Sequence, residues 1–337
     1  MSEYLPNILE WTIKGVLLVL ILLTGFAYTT YYERRFLARI QVRVGPNRAG
    51  PFGLLQPVAD AVKLIFKEET TPAEVYKIAF LLAPILTMVP AVVIMAVIPW
   101  GDTIMIGERE IMLGVTDINV GVLYLLSVAS ISVYGIVLAG WSSNNKYAMM
   151  GGLRSTAQMI SYELALGLAF VGPIMLAGSM SLLDIVKYQM ENVWFIIPQI
   201  LGGSIFFIAM LAEVNRSPFD MPEAEQELTA GYHTEYSGMK FALFFMGEYI
   251  KMISVSAIFS TLFLGGFAGW GVESYTWLGP IYLFLKIVFC LGLMIWIRAT
   301  FPRLRYDRLM SFGWKVLLPL ALLNVFITAA EIIWLGS

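Results

Sequence analysis

Runs of apolar residues long enough to cross a bilayer recur along this chain, and charged loops separate them. A bilayer's hydrocarbon core requires about 20 apolar residues in a helix. Eight runs approach that length, at roughly 9–32, 78–99, 118–140, 156–177, 194–213, 240–267, 279–299 and 313–335. Backbone polar groups inside lipid must be satisfied within the segment, so runs of this length dictate helices. The expectation is an all-α membrane protein, a bundle of eight transmembrane helices forming one polytopic membrane domain over 1–337. Composition agrees: 58% of the 337 residues are hydrophobic and 14% are charged, against about 25% charged in soluble proteins. The first run lacks a basic leader and a small-residue cleavage site, and reads as a span rather than a signal peptide. No internal repeat is evident, so a repeated transporter architecture is not inferred.

The basic residues orient the bundle. Of the 22 lysines and arginines, only Arg109 and Lys187 fall in the even-to-odd loops. The odd-to-even loops carry Arg34, Arg35, Arg39, Arg43, Arg48, Lys63, Lys67 and Lys77, then Lys146 and Arg154, Arg216 and Lys240, and finally Arg298, Arg303, Arg305 and Arg308. By the positive-inside rule these loops face the cytoplasm or its equivalent, which puts both termini on the outer, periplasmic-type side.

The chain has one cysteine, Cys290, and one histidine, His233. That leaves too few ligands for an iron–sulfur cluster or a zinc site. Cys290 reads as a small core residue, and His233 as a hydrogen-bonded structural residue beside the central loop. Neither a dinucleotide-binding glycine fingerprint nor a phosphate-binding loop is present, so nicotinamide, flavin and nucleoside triphosphate are not expected on this chain.

Two polar segments stand out against this background. In the first loop, Leu54, Leu55, Val58, Ala61, Val62, Ile65 and Phe66 recur at helical spacing, with Gln56, Asp60, Lys63 and Lys67 between them. This predicts an amphipathic helix lying in the interface. It reads either as a cover for the spans or as a wall through which an amphipathic ligand enters from lipid. A Gly/Pro-punctuated turn region, Arg43–Gly53, precedes it. The second segment follows the fifth run and concentrates Glu213, Arg216, Asp220, Glu223, Glu225 and Glu227. Asp220 to Glu223 has capping-box form with Pro222 in the first turn. A helix starting there would align Asp220, Glu223 and Glu227 on one stripe and turn Glu225 elsewhere. Helix-dipole preference accounts for one or two such acids, less well for four. Glu33, Arg34 and Arg35 end the first run on the same side of the membrane.

Three carboxylates fall within or at the end of apolar runs: Glu163, Glu213 and Glu248. Ionisable groups in membrane segments mark pathways or buried pairs. As a relay they would take and pass protons. As structural pairs, Glu248 would use Lys251, three residues on, or Lys286 in the seventh run.

The segments that carry these features resemble a known family. YYERRFLARIQVRVGPNRAGPFGLLQPVADAVKLIFKEE (Tyr31 to Glu69) and AEVNRSPFDMPEAEQELTAGYHTEYSGMKFALFFMGEY (Ala212 to Tyr249) are similar to the two signatures of the NADH-quinone oxidoreductase H-subunit family, called NADH dehydrogenase subunit 1 in mitochondria. The resemblance covers essentially the whole chain. It implies a membrane subunit of respiratory complex I that forms much of a quinone chamber with peripheral subunits and couples quinone reduction to proton translocation. It implies that Glu33, Arg34, Arg35, Arg48, Asp60, Arg216, Asp220, Glu223, Glu225 and Glu227 line or support the chamber and its acidic exit. Glu163, Glu213 and Glu248 would form the proton path. It implies no redox centre here: iron–sulfur clusters and FMN belong to partner subunits, and quinone is the substrate. Partners would be peripheral-arm iron–sulfur and quinone-site subunits, small and antiporter-like membrane-arm subunits, and membrane lipid, with no nucleic acid. The location implied is a bacterial cytoplasmic membrane. A related membrane-bound hydrogenase-type or ferredoxin-dependent complex, a stand-alone proton-coupled transporter and a purely structural anchor are the alternatives.

Overall fold

In the computed structural model, which describes residues 5–106, 109–220 and 231–335, the apolar runs fold as helices. Helix α1 (Leu5–Ile40) is followed by a short α2 (Gln56–Phe66), then α3 (Lys77–Ile94), α4 (Gly121–Ser142) and α5 (Lys146–Ala177). After these come α6 (Leu182–Glu191), α7 (Ile200–Glu213), α8 (Gly238–Phe263) and α9 (Gly279–Thr300). Helix α10 (Tyr306–Phe312) runs through a π-turn at Gly313–Leu317 into α11 (Leu318–Leu335). An antiparallel hairpin, β1 (Thr103–Ile106) with β2 (Arg109–Met112), joins α3 to α4. Neither this hairpin nor α6 is anticipated by the hydropathy pattern.

Among the described residues, seven helical segments, not eight, are long and apolar enough to cross a membrane. The exception is the fifth expected span. Its apolar run begins at Trp194, but helix α7 begins only at Ile200 and has 14 residues, about 21 Å at 1.5 Å per residue. That falls short of a hydrocarbon core of about 30 Å. Pro198 explains the late start: it lacks an N–H and disfavours helical backbone at Ile197. The chain before it turns instead, with the Ile196 amide bonded to Phe263 O at the end of α8. Gln199 anchors the start of α7. Its amide nitrogen donates to Thr328 Oγ1 at 2.8 Å and its oxygen accepts from Asn324 at 3.0 Å, both on α11.

Helix α1 departs in the other direction. Its 36 residues extend about 54 Å, so it carries Glu33, Arg34 and Arg35 as helical residues beyond the expected end of the first span. Helix α8 is the central element: 67% of its apolar window is buried, against 17% in α1. It packs against α1, α2, α3, α7 and α9, while α5 packs against α4, α7 and α11. The main buried core includes Tyr162, Phe170, Phe206, Phe263 and Phe267, and a second, smaller cluster gathers Phe80, Ile136, Met159, Tyr236 and Phe244. Cys290 is buried there, 3.9 Å from Ser260 Oγ.

The turn region before α2 is closed by Gly53, at φ 79°. A Cβ there would run into the Pro46 carbonyl, so only glycine lets the loop fold back on itself. Helix α2 lies against α1 and α8, with Val58, Val62 and Phe66 exposed.

Candidate functional site

The site is organised by the way α7 stops. Asn215 sits in left-handed backbone at φ 55°. The Arg216 amide bonds Leu211 O at 3.2 Å and the Asn215 amide bonds Ala212 O at 3.2 Å. This pair of bonds is a Schellman motif, with asparagine in the position glycine usually takes. Gln158 of α5 secures the turn: its side-chain amide donates to Ala212 O at 2.8 Å, Phe219 O at 2.6 Å and Asn215 Oδ1 at 3.1 Å. Glu213 and Arg216 are thereby presented to α8.

Arg216 is 3% exposed and lies at the centre of a buried ionic cluster. Its Nε is 2.8 Å from Glu248 Oε1 and its NH1 is 3.7 Å from Glu33 Oε1. Its guanidinium also stacks over the Tyr249 ring, 4.5 Å from the centroid. Glu33, equally buried, accepts the Tyr249 hydroxyl at 2.6 Å and pairs with Arg298 of α9. Burial alone would lower the affinity of Arg216 for its proton. Glu248, Tyr249 and Glu33 outweigh that and hold the guanidinium above its ordinary range, so its charge is permanent and fixed between two carboxylates.

The second cluster lies next to the first. Glu213, 4% exposed, is 2.7 Å from Lys251 Nζ. Lys251 also donates to Ser132 Oγ at 3.2 Å. Glu163 of α5 accepts a hydrogen bond from Ser130 of α4. Glu213, Glu248 and Lys251 line one cavity of about 30 Å³, together with Asn215, Tyr232 and Thr87. A volume of that size holds about one water molecule.

A larger cavity, about 500 Å³, opens between α1, α2 and α8. Its walls are apolar, with Leu23, Phe26, Leu64, Phe241 and Phe245 prominent. One edge is polar: Arg34 NH1 and Asp60 Oδ2 form an ion pair at 2.8 Å, and Gln56 donates to Asp60 at 3.2 Å. Tyr249 lines this cavity and hydrogen-bonds Glu33. It therefore belongs to both the cavity wall and the ionic cluster. Concave, mostly apolar cavities with a few placed polar groups are the usual form of small-molecule sites.

The expected site residues fall into three sets. Glu33, Arg216, Glu248, Glu213 and Glu163 are placed around adjoining clusters. Arg34 and Asp60 edge the cavity, and Arg35 bonds the Tyr31 hydroxyl at 3.0 Å and Phe52 O at 2.8 Å, bracing the turn before α2. Asp220 is buried and pairs with Arg303 at 2.9 Å. Arg48 is exposed in the loop before α2. Glu223, Glu225 and Glu227, with the capping box that starts at Asp220, lie outside the described residues.

Two pairings differ from those considered in the sequence. Lys251 faces Glu213 rather than Glu248, because the turn after α7 gives Glu248 to Arg216. Lys286 has its ammonium on the carbonyls of Leu264, Gly266 and Ala268, at 2.6, 2.8 and 2.7 Å, closing the end of α8. His233 sits in a short turn after the acidic stretch, its ring against Tyr232 and Phe241. Tyr249, Arg298, Ser130 and Gln158 carry no distinguishing signal in the sequence. Their neighbours mark them only once α1, α4, α5, α7, α8 and α9 are packed together.

The profile of the family described as NADH dehydrogenase matches residues 13–329 of this chain. The chain belongs to the NADH-quinone oxidoreductase H-subunit family. It is 49% identical over 337 residues to NADH-quinone oxidoreductase H-subunit 2 of Syntrophobacter fumaroxidans, covering 100% of both chains. The NADH-quinone oxidoreductase H-subunit of Thermomicrobium roseum is 52% identical over 95% of both chains. That of Protochlamydia amoebophila is 53% identical over 91% of this chain and 92% of the relative. Like them, this member of the H-subunit family is an integral membrane protein, and the enzyme to which it contributes is a multisubunit oxidoreductase.

Proposed function

We propose that this chain is the membrane subunit of a proton-translocating NADH:quinone oxidoreductase, and that it forms much of the quinone chamber. The observation that carries this reading is the position of Tyr249, which lines an apolar cavity of about 500 Å³ and bonds the buried carboxylate of Glu33. A quinone has an apolar tail and a polar head with two hydrogen-bond acceptors. The cavity between α1, α2 and α8 suits the tail, and the Arg34–Asp60 edge suits entry of the head. Electrons arrive from iron–sulfur and quinone-site subunits of the peripheral arm, which also hold the FMN.

In this reading a change of charge in the chamber reaches Glu33 and Arg216 through Tyr249. Glu248, Glu213 and Glu163 carry it away, toward small and antiporter-like membrane subunits. Moving one charge against the membrane potential requires about 2.3 kcal/mol per 100 mV, and carboxylates held by buried cations store energy of that order. The acidic stretch with Asp220, Glu223, Glu225 and Glu227 joins the chamber to this path, with Arg35 and Arg48 supporting the loop over it.

The placement in the membrane belongs to the same proposal. The chain forms one polytopic unit with eight crossings in a bacterial cytoplasmic membrane, the short α7 making the fifth with the turn that precedes it. Helix α2 lies in the interface and borders the quinone entrance, and both termini face the outer side.

The test uses the intact complex in sealed membrane vesicles. Glu163→Gln and Glu213→Gln are each expected to lower quinone-dependent NADH oxidation and proton uptake together. Full retention of both activities in both variants would show that the carboxylates are not the path.

A further inference from the structure

The charged side chains of the site alternate in sign along one file. Arg298 and Arg216 face Glu33, Arg216 faces Glu248, and Lys251 stands one turn beyond Glu248 on α8 and faces Glu213. Glu213, Glu248 and Lys251 border the same water-sized cavity. Beyond them Glu163 engages a neutral hydroxyl, that of Ser130. A path read in the sequence as three acids thus contains two interior cations.

Arg216 stands between two carboxylates, and Lys251 pairs with one and shares a cavity with another. Arg216 is 2.8 Å from Glu248 and 3.7 Å from Glu33. Lys251 is 2.7 Å from Glu213, and Glu248 precedes it by three residues on its own helix, a spacing that brings side chains together. Its other contact, Ser132 Oγ at 3.2 Å, is a neutral group. An ammonium on a flexible four-carbon stem can change partners, whereas a guanidinium tends to bridge two acceptors at once.

We propose that Lys251 is a positioning residue of the coupling path, exchanging between Glu213 and Glu248 in step with the exchange of Arg216 between Glu248 and Glu33. The proposal rests on the quinone-chamber reading above and adds a mobile cation to it. When Arg216 turns to Glu33, Glu248 is left to Lys251. Glu213, buried and without its cation, then takes up one proton from the Glu163 side of the file. When Lys251 returns, Glu213 releases that proton into the water-sized cavity that it shares with Glu248.

The experiment compares Lys251→Met, Lys251→Arg and the double variant Glu213→Gln/Lys251→Met in the intact complex in sealed vesicles. It reads the amount assembled, quinone-dependent NADH oxidation per complex, and proton uptake per NADH. Lys251→Met is expected to lower turnover about a hundredfold, the low end for loss of a proton-transfer step, here that of Glu213. The double variant replaces a buried pair by neutral groups of similar size and is expected to recover assembly, with NADH oxidation and proton uptake both still low. Lys251→Arg is expected to assemble with the ratio of proton uptake to NADH at about half or less, because a bridging guanidinium fixes what an ammonium exchanges. Wild-type NADH oxidation and proton uptake in the double variant would make Lys251 a structural pair and overturn the proposal. If neither methionine variant assembles, Lys251→Arg decides alone: a reduced ratio supports exchange and a wild-type ratio overturns it. Absence of quinone-dependent NADH oxidation in vesicles of the unsubstituted complex would overturn the underlying reading, and this proposal with it.

Discussion

The Tyr249 hydroxyl donates to Glu33 Oε2 over 2.6 Å, while the same side chain forms part of the wall of the large cavity. One rotatable group therefore touches both the space that would hold a ligand and the most buried carboxylate of α1. A hydrogen bond to a charged partner contributes about 1.5–3 kcal/mol. Tyr249→Phe keeps the ring under Arg216 and removes only this bond. The expected outcome is normal assembly with quinone turnover reduced about ten- to a hundredfold, measured as kcat in membrane vesicles. Unchanged turnover would disconnect the cavity from the ionic file.

Arg216 compensates Glu248 and shares Glu33 with Arg298, so its removal falls chiefly on Glu248. Removing one partner of a buried pair destabilises by about 3–5 kcal/mol. Arg216→Met should therefore deplete the assembled complex on native gels. Arg216→Met/Glu248→Gln, which also removes the carboxylate that faces Arg216 Nε, should recover part of it. Arg216→Lys should not behave as wild type, since an ammonium cannot reach Glu248 and Glu33 in the same geometry.

The Arg34–Asp60 pair has the same formal chemistry in a different environment. Its side chains are 53% and 36% exposed, and pairs of that kind contribute about 0–1 kcal/mol. Asp60→Asn is expected to leave thermal stability within about 1 kcal/mol of wild type and to raise the KM for quinone. A large loss of stability with unchanged KM would assign the pair to folding instead.

Cavity shape offers an independent check. Ala242 of α8 lines the large cavity, and tryptophan there would fill much of its width. Ala242→Trp should raise the KM for a long-tailed quinone about tenfold or more, while reduction of a water-soluble acceptor by the peripheral subunits stays unchanged. Equal loss of both activities would point to misassembly.

The helices were legible because apolar length is sufficient to specify them in a bilayer, and Glu163, Glu213, Glu248 and Arg216 were legible because charge among apolar residues is costly. The truncation of α7 was not, because Trp194–Gln199 is as apolar as a helix, and hydropathy does not separate a buried turn from a span. Pro198 was the signal. Partner identity was beyond reach for a different reason. Glu33 meets Tyr249 and Arg298 across hundreds of residues, and a tyrosine in an aromatic-rich segment looks like packing until the carboxylate is placed beside it. Lys251 shows the limit of local spacing: three residues from Glu248, it was the natural partner on one helix, yet the turn at Asn215 brings Glu213 to it instead.

The turn that ends α7 has an electrical consequence. It folds the chain back after Glu213, so that Arg216 and Asp220 are each 3% exposed and shielded from mobile salt ions. Ions screen exposed charges over about 8–10 Å at ordinary ionic strength, and buried ones far less. Raising salt should weaken the Arg34–Asp60 gate while leaving the interior file untouched. The turn after one helix thus separates an outer ion pair that responds to the medium from an interior file that does not.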